Sequence, residues 1–253
     1  MKQSRADGRD AATLRPISIE TGLQRNPEGS VLYRCGGTTV LCSASIDEGV
    51  RDFLRGTGKG WVTAEYAMHP RANPSRQSRD GRRASGIDGR TQEIQRLIGR
   101  ALRAAIDPKK LGERTITIDC DVLDADGGTR TASVTGGFIA LAMALDRLRQ
   151  KGLVGPGVLR APLAAVSVGL LDGTPILDLC YTEDRDAQVD LNIVATSNGD
   201  VVEVQGTAED EPMTRAELDA LITLALGAMG DLAALQKNAL KSVDVDLARL
   251  IAS

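Results

Sequence analysis

The sequence predicts an α+β protein whose two halves repeat one theme, a group of strands followed by helices. Three observations carry this. Residues 15–47 alternate apolar and polar side chains around turn residues, and residues 163–208 are strand-like segments broken by tight turns. Three longer segments return instead to apolar spacing of three and four. The order, strands and then helices, occurs twice along the 253 residues.

The elements follow in order. RPISIETG and SVLYRCGG alternate around the turn chemistry of NPEG, and TTVLCSAS and GWVTAEYAM supply two more strands. Residues 91–106 place Ile94, Leu97, Ile98, Ala101 and Ala105 on one helical face, with Thr91 as a candidate cap. RTITIDCDVL is a strand with Ile116, Ile118, Cys120 and Val122 on one side. Residues 134–148 are helical, with Phe138, Leu141, Leu145 and Leu148 sharing a face. In the second half, LAAVSVGLL, TPILDLCYTED, VDLNIVAT and VVEVQGTA read as a strand meander with tight turns at DG and SNGD. Thr214 and Glu217 then form a capping box ahead of Leu218, Leu221, Ile222, Ala225 and Met229. No linker separates the halves, so residues 1–253 are expected to form a single domain.

Composition excludes several classes. Apolar residues make up 42% and aromatics only 2%, so the core must be Leu, Val, Ile and Ala. A formal net charge of -3 does not announce a nucleic-acid binder, although it can hide a local basic patch. Cys35, Cys42, Cys120 and Cys180 contain no CxxC, so neither zinc nor a redox motif is signalled. Buried free thiols suit a reducing cytoplasm. MKQSRADGRD has no apolar signal core, and no apolar run approaches the roughly 20 residues of a membrane helix, so no membrane partner is expected. His69 is the sole histidine, which excludes a Ser-His-Asp or multi-histidine metal site and marks His69 as a surface residue.

Three stretches carry chemistry. In DGGTRTASVTGG, residues 126–137, glycines 127 and 128 permit a tight turn and close approach of a ligand to the backbone. A helix starts close by, and its first N–H groups favour an anion. Thr129, Thr131 and Ser133 offer hydroxyls, and Arg130 adds a fork of donors suited to a phosphate. The alternative is a plain Gly-rich turn with a solvated arginine. It is not a Walker A loop, since GxxxxGK[ST] is absent and GTGKG has the wrong spacing. In YTEDRDAQVD, Glu183, Asp184, Asp186 and Asp190 could hold Mg²⁺ or supply a general acid, or form a solvated acidic loop. In residues 69–90, Arg71, Arg76, Arg79, Arg82, Arg83 and Arg90 outnumber Asp80 and Asp88. Arginine without lysine favours bidentate phosphate contacts, with an unstructured surface loop as the alternative. Arg90 abuts a second helix start, where it serves an anion or the helix end.

RADGRDAATLRPISIETG, GRTQEIQRLIGRALRAA, TITIDCDVLDADGGTRTASVTGG, LDLCYTEDRDAQVDLNIV and VEVQGTAE occur in this order and together resemble the signatures of the ribonuclease PH family. The resemblance covers almost the whole chain. It implies the ribosomal protein S5 domain 2-like fold and a homohexameric ring built as a trimer of dimers. It implies a phosphate-dependent 3′→5′ exoribonuclease, or tRNA nucleotidyltransferase, that trims tRNA precursors in the cytoplasm and also acts in rRNA processing. Nucleoside diphosphates are released, and nucleotides can be added in reverse. The co-substrate implied is inorganic phosphate and the metal Mg²⁺. By the same resemblance Arg90 matches the phosphate-binding arginine, Gly128, Thr129 and Arg130 the phosphate loop, and Asp184 and Asp190 the paired catalytic, metal-holding aspartates. Arg71, Arg76 and Arg79 match the segment that grips tRNA, Arg71 the most securely. Arg185 stands where serine is frequent, and AMHPR where GMLPR is common. A catalytically silent RNA-binding subunit and a hydrolytic two-metal nuclease are the rival readings. The first is opposed by the presence of every site residue, the second by the phosphate cradle.

Overall fold

The computed structural model describes residues 5, 7–79, 87–209 and 211–251. Two sheets and three long helices build it. The first sheet contains β1 (Ile17–Thr21), β2 (Gly29–Cys35), β3 (Thr38–Asp47), β4 (Trp61–Met68) and β5 (Thr115–Asp124), in the order β1-β2-β3-β5-β4. Its neighbours are antiparallel except β4 and β5, which run parallel. Parallel neighbours need a crossover, and helix α1 (Gly89–Ala104) with the short α2 (Pro108–Leu111) provides it. The order strand, helix, strand over GWVTAEYAM, residues 91–106 and RTITIDCDVL is the one read from the sequence, and only the short α2 is additional.

The second sheet contains β6 (Leu163–Leu171), β7 (Thr174–Leu177), β8 (Val189–Thr196) and β9 (Val201–Ala208), in the order β7-β6-β8-β9. It is not a plain meander. The chain leaves β7, forms a six-residue helix α4 (Tyr181–Asp186), and returns so that β8 pairs with β6. The expected strand through ILDLCYTED thus ends at Leu177.

Side-chain patterning explains how the layers stack. In β3 the inward set Thr38, Val40, Cys42 and Ala44 is buried and its alternates are not, as a one-sided sheet requires. Strand β6 is buried on both sides. Leu163 and Ala165 belong to the core shared with the first sheet, whereas Ala164, Val166, Val168 and Leu170 pack with Leu221, Ala225, Met229 and Leu232. Those four lie on helix α5 (Arg215–Lys241), which opens with the expected Thr214–Glu217 capping box. Helix α3 (Thr129–Gln150) lies between the two sheets, and every residue from Thr131 to Asp146 is buried. A helix apolar all round belongs in the middle of a core. This hides the one-sided periodicity and explains why the helix is longer than the expected 134–148.

Helix α5 is also long and apolar enough, by length and composition, to cross a membrane, a feature not apparent from uninterrupted apolar runs. All four cysteines are free thiols. Cys35, Cys42 and Cys120 are buried, as expected, but Cys180 is only partly so, because it stands at the start of α4. His69 is exposed, as expected.

Candidate active site

The site lies where the N-terminus of α3 meets the second sheet. Strand β5 ends at Asp124, and within four residues the chain has turned into α3. Gly127 and Gly128 make that turn with φ of +73° and +65°. Thr38 ties the turn down, its hydroxyl accepting from Asp126 N at 2.9 Å and donating to Gly127 O at 2.7 Å. Behind it, buried Arg15 forms a bidentate pair with Asp178, Nε to Oδ2 at 3.0 Å and Nη2 to Oδ1 at 2.7 Å. Burial opposes ionisation of Asp178, but the Arg15 guanidinium outweighs it and holds the carboxyl below its ordinary range.

A Cβ on Gly127 would meet Leu179 O at 2.6 Å and Cys180 C at 2.8 Å, backbone that cannot step aside. Gly127→Ala is therefore expected to lose about 1–3 kcal/mol from backbone strain, with the clash added to it. A urea midpoint equal to that of the parent protein would contradict this geometry.

An open cleft of roughly 790 Å³ is lined by Gly128, Thr129 and Arg130 from the cradle, Arg90 from α1, Asp184 from α4, Asp190 from β8 and Arg76. Seven of the nine residues matched by the family resemblance are thus brought to one cavity. Arg71 and Arg79 are exposed and do not line it, while Arg82 and Arg83 lie outside the described residues.

Two local expectations need correction. Thr131 and Ser133 do not offer hydroxyls to the cleft. They are buried and bond back to Gly128 O and Thr129 O at 2.9 and 2.8 Å, as hydroxyls in a first helical turn do. Thr91 does not cap α1. Asp88 is extended and occupies the N-cap, and Thr91 sits buried a turn inside. Arg90 is consequently in the first turn of its helix, and Arg130 in the first turn of α3. Both cations stand where helix N–H groups lack intrahelical acceptors.

Arg130 is held in place. Its Nη1 donates to Gln205 Oε1 at 3.0 Å, and Glu93 lies 3.9 Å away. Gln205 in turn donates to Glu93. The Tyr66 hydroxyl shares a hydrogen bond with Thr129 at 2.9 Å.

The acidic stretch separates into three roles. Glu183 is buried and ion-paired with Arg5, and Asp186 is exposed and paired with its neighbour Arg185. Only Asp184 and Asp190 face the cleft. Arg185 engages Asp186 through Nε and Nη2 at 2.6 and 2.8 Å, so the residue that stands in place of serine does not bond Asp184. Burial raises the Asp190 carboxyl to about 6, and the adjacent Asp184 reinforces this, while Arg130 pulls the other way.

Asp190 Oδ1 is buried without a hydrogen-bond partner. An orphaned carboxylate oxygen beside a second carboxylate suits a divalent cation. Among the described residues no three His, Cys, Asp or Glu side chains converge on a point. Mg²⁺ takes only one or two carboxylates when phosphates and water complete its shell. The pair therefore fits that ion.

Tyr66, Ser167, Tyr181 and Asn192 also line the cleft and were not singled out from sequence. One signal was available for Asn192. In VDLNIV two polar residues stand two apart in an apolar strand, so Asp190 and Asn192 share a face.

Comparison with known proteins agrees with this geometry. The family model described as 3′ exoribonuclease family, domain 1, matches residues 13–145, and domain 2 of the same family matches residues 161–228. Rice Rrp46 superposes with a TM-score of 0.76 at 19% identity, covering 93% of this chain and 100% of that one. The Archaeoglobus fulgidus exosome with RNA bound to the active site gives 0.75 at 20% identity, covering 90% and 91%. At such identities these two show the fold, the expected S5 domain 2-like arrangement. Fold and cleft together thus define the class of 3′ exoribonucleases.

Within that class two sequences are much nearer. Ribonuclease PH of Crocosphaera subtropica is 53% identical over 240 residues, 95% of this chain and 99% of the relative. Ribonuclease PH of Syntrophomonas wolfei subsp. wolfei is 51% identical over 236 residues, 93% and 98%. The chain belongs to the ribonuclease PH family.

Proposed function

We propose that this protein trims the 3′ ends of tRNA precursors by phosphorolysis, with inorganic phosphate held by Arg90, Arg130 and the N-terminus of α3. The observation that carries this is the convergence of two first-turn arginines, a glycine cradle and two carboxylates on one cleft. Phosphorolysis must bring two groups of like charge together. The attacking phosphate and the terminal phosphodiester both carry negative charge, so the site needs fixed cations and N–H donors. Hydrolysis would need no such cradle.

The phosphate oxygen attacks the terminal phosphorus in line with the leaving 3′ oxygen. The new P–O bond makes a nucleoside diphosphate, and the broken one leaves RNA shorter by one nucleotide with a 3′ hydroxyl. That hydroxyl must gain a proton. We assign its delivery to Asp184 and Asp190 as a unit, because both carboxyls face the same cleft and burial lets Asp190 keep a proton to about 6. Mg²⁺ held by the same pair would supply charge neutralisation at the transferring phosphoryl group.

The bond formed is itself a phosphoanhydride, so nucleoside diphosphates should extend RNA when phosphate is scarce. Arg76, at the cleft, with Arg71 and Arg79 outside it, would hold the RNA backbone, a contact that positions without reading sequence. We further infer that both halves act as one catalytic domain, since the cradle comes from the first and the carboxylates from the second. A homohexamer of three dimers, a cytoplasmic location and a share in rRNA processing are proposed from family membership.

The test is a phosphate titration with a tailed RNA and Mg²⁺. Turnover should vanish without phosphate, and each nucleotide lost should appear as a diphosphate. Monophosphates in phosphate-free buffer would overturn this reading in favour of hydrolysis.

A further inference from the structure

We propose that Arg5 and Glu183 form a buried clamp through which the N-terminal arm positions Asp184 at the cleft; this rests on the reading of Asp184 as a site carboxylate. Helix α4 spans only six residues, Tyr181–Asp186. A helix that short does not hold itself. Something else must fix it, because Asp184 is one of its residues.

The neighbour on its N-terminal side, Glu183, points away from the cleft and into the protein. Its carboxylate accepts from Arg5 Nε and Nη2, both at 2.7 Å, and from Cys180 N at 3.0 Å. Arg5 and Glu183 are 6% and 4% exposed, so this pair is shielded from water. The other donors of Arg5 reach the chain just before α4, Leu177 O at 2.7 Å and Asp178 O at 2.8 Å. Arg5 therefore grips both the helix and its approach.

Two more arginines of the same arm act nearby. Arg9 lies 3.7 Å from Asp178 and 3.7 Å from Glu183, and Arg15 also holds Asp178. Asp178 itself has φ of +56°, an uncommon backbone for a residue other than glycine. The segment from Leu177 to Glu183 is thus pinned by residues more than 160 positions away in sequence.

A buried ion pair adds little net stability relative to apolar side chains of the same size. What it adds here is direction. The planar fork of Arg5 accepts one orientation of Glu183, and that orientation turns the next side chain, Asp184, toward Asp190 and Arg130. Arg5 does not line the cleft, so its role is positioning. Lysine keeps the charge but lacks the fork.

The experiment compares Arg5→Lys, Glu183→Gln and the double variant Arg5→Met/Glu183→Gln, which leaves no unpaired buried charge. Asp184→Asn serves as a control. Phosphorolysis of a short RNA is measured well below each unfolding midpoint. The clamp predicts kcat lower by about 10–100-fold in all three, since misplacement near 1 Å costs on that order. The phosphate KM, set by Arg90 and Arg130, should stay within about twofold. It also predicts that the double variant has a higher thermal midpoint than Glu183→Gln, in which the Arg5 charge is left unpaired, without regaining kcat. Wild-type kcat in folded Arg5→Lys or in the double variant would overturn the proposal. So would losses that merely follow the unfolded fraction, including failure of every variant to fold, because the pair would then be structural only. Full turnover by Asp184→Asn is a different failure, since it would overturn the assignment of the site itself.

Discussion

Replacing Arg130 by alanine is expected to lower turnover by about 10²–10³-fold, the loss typical of a donor aimed at developing charge. The guanidinium sits in the first turn of α3 over the glycine cradle and lines the cleft with Asp190. It is held there by Gln205, so under the proposed function it would meet the attacking phosphate already oriented. Phosphate affinity should weaken as well, because the ground-state anion uses the same contact. The fold should survive. Alanine suits a helix interior, and Glu93 remains as a partner for Gln205. Urea unfolding and steady-state kinetics on the same preparation check this. A variant with parental kcat and parental phosphate KM would make Arg130 a bystander and would shift the burden of anion binding to Arg90.

Asp190→Asn is expected to separate activity from stability. Turnover should fall by at least about 10²-fold, since asparagine neither carries a proton nor binds a cation as a carboxylate does. Stability in chelator at pH 7–8 should rise by about 1–3 kcal/mol. The sign follows from the carboxyl's titration. Burial raises its folded value to about 6, above an unfolded value of about 3.9. The folded state therefore binds the proton more tightly, and wild-type stability falls as pH rises from about 4 to about 6. Asparagine is spared that loss. The gain should be absent below about pH 4 and complete above about pH 7. A pH-independent difference between the two proteins, or a variant less stable at pH 8, would contradict the desolvated-carboxyl account.

These two residues also show what the sequence made legible. Arg130 could be read locally, because glycines, a cation and a helix start within six residues already specify an anion cradle. Family resemblance, not spacing, singles out Asp184 and Asp190 among the four neighbouring carboxylates. Local sequence could not rank them, because what distinguishes Glu183 is a partner 178 residues away. The strand order had the same limit. Nothing in TPILDLCYTED announces that the chain turns into a short helix and that β8 returns to pair with β6. Thr131 and Ser133 are ambiguous in sequence for a further reason. A hydroxyl near a helix start can face a ligand or bond back to the preceding turn, and composition does not separate the two. Helix α1 begins two residues before the expected 91–106, because the extended Asp88 at its cap leaves no apolar mark.

The central claim is that inorganic phosphate is the nucleophile. It is tested most directly by supplying isotopically labelled phosphate with unlabelled RNA and following the label in the first product released. Attack from the cradle formed by Gly128, Thr129, Arg130 and Arg90 places the label in the β-phosphoryl group of the nucleoside diphosphate and leaves the α-phosphoryl group unlabelled. Unlabelled nucleoside monophosphates, released at the same rate whether or not phosphate is present, would contradict it.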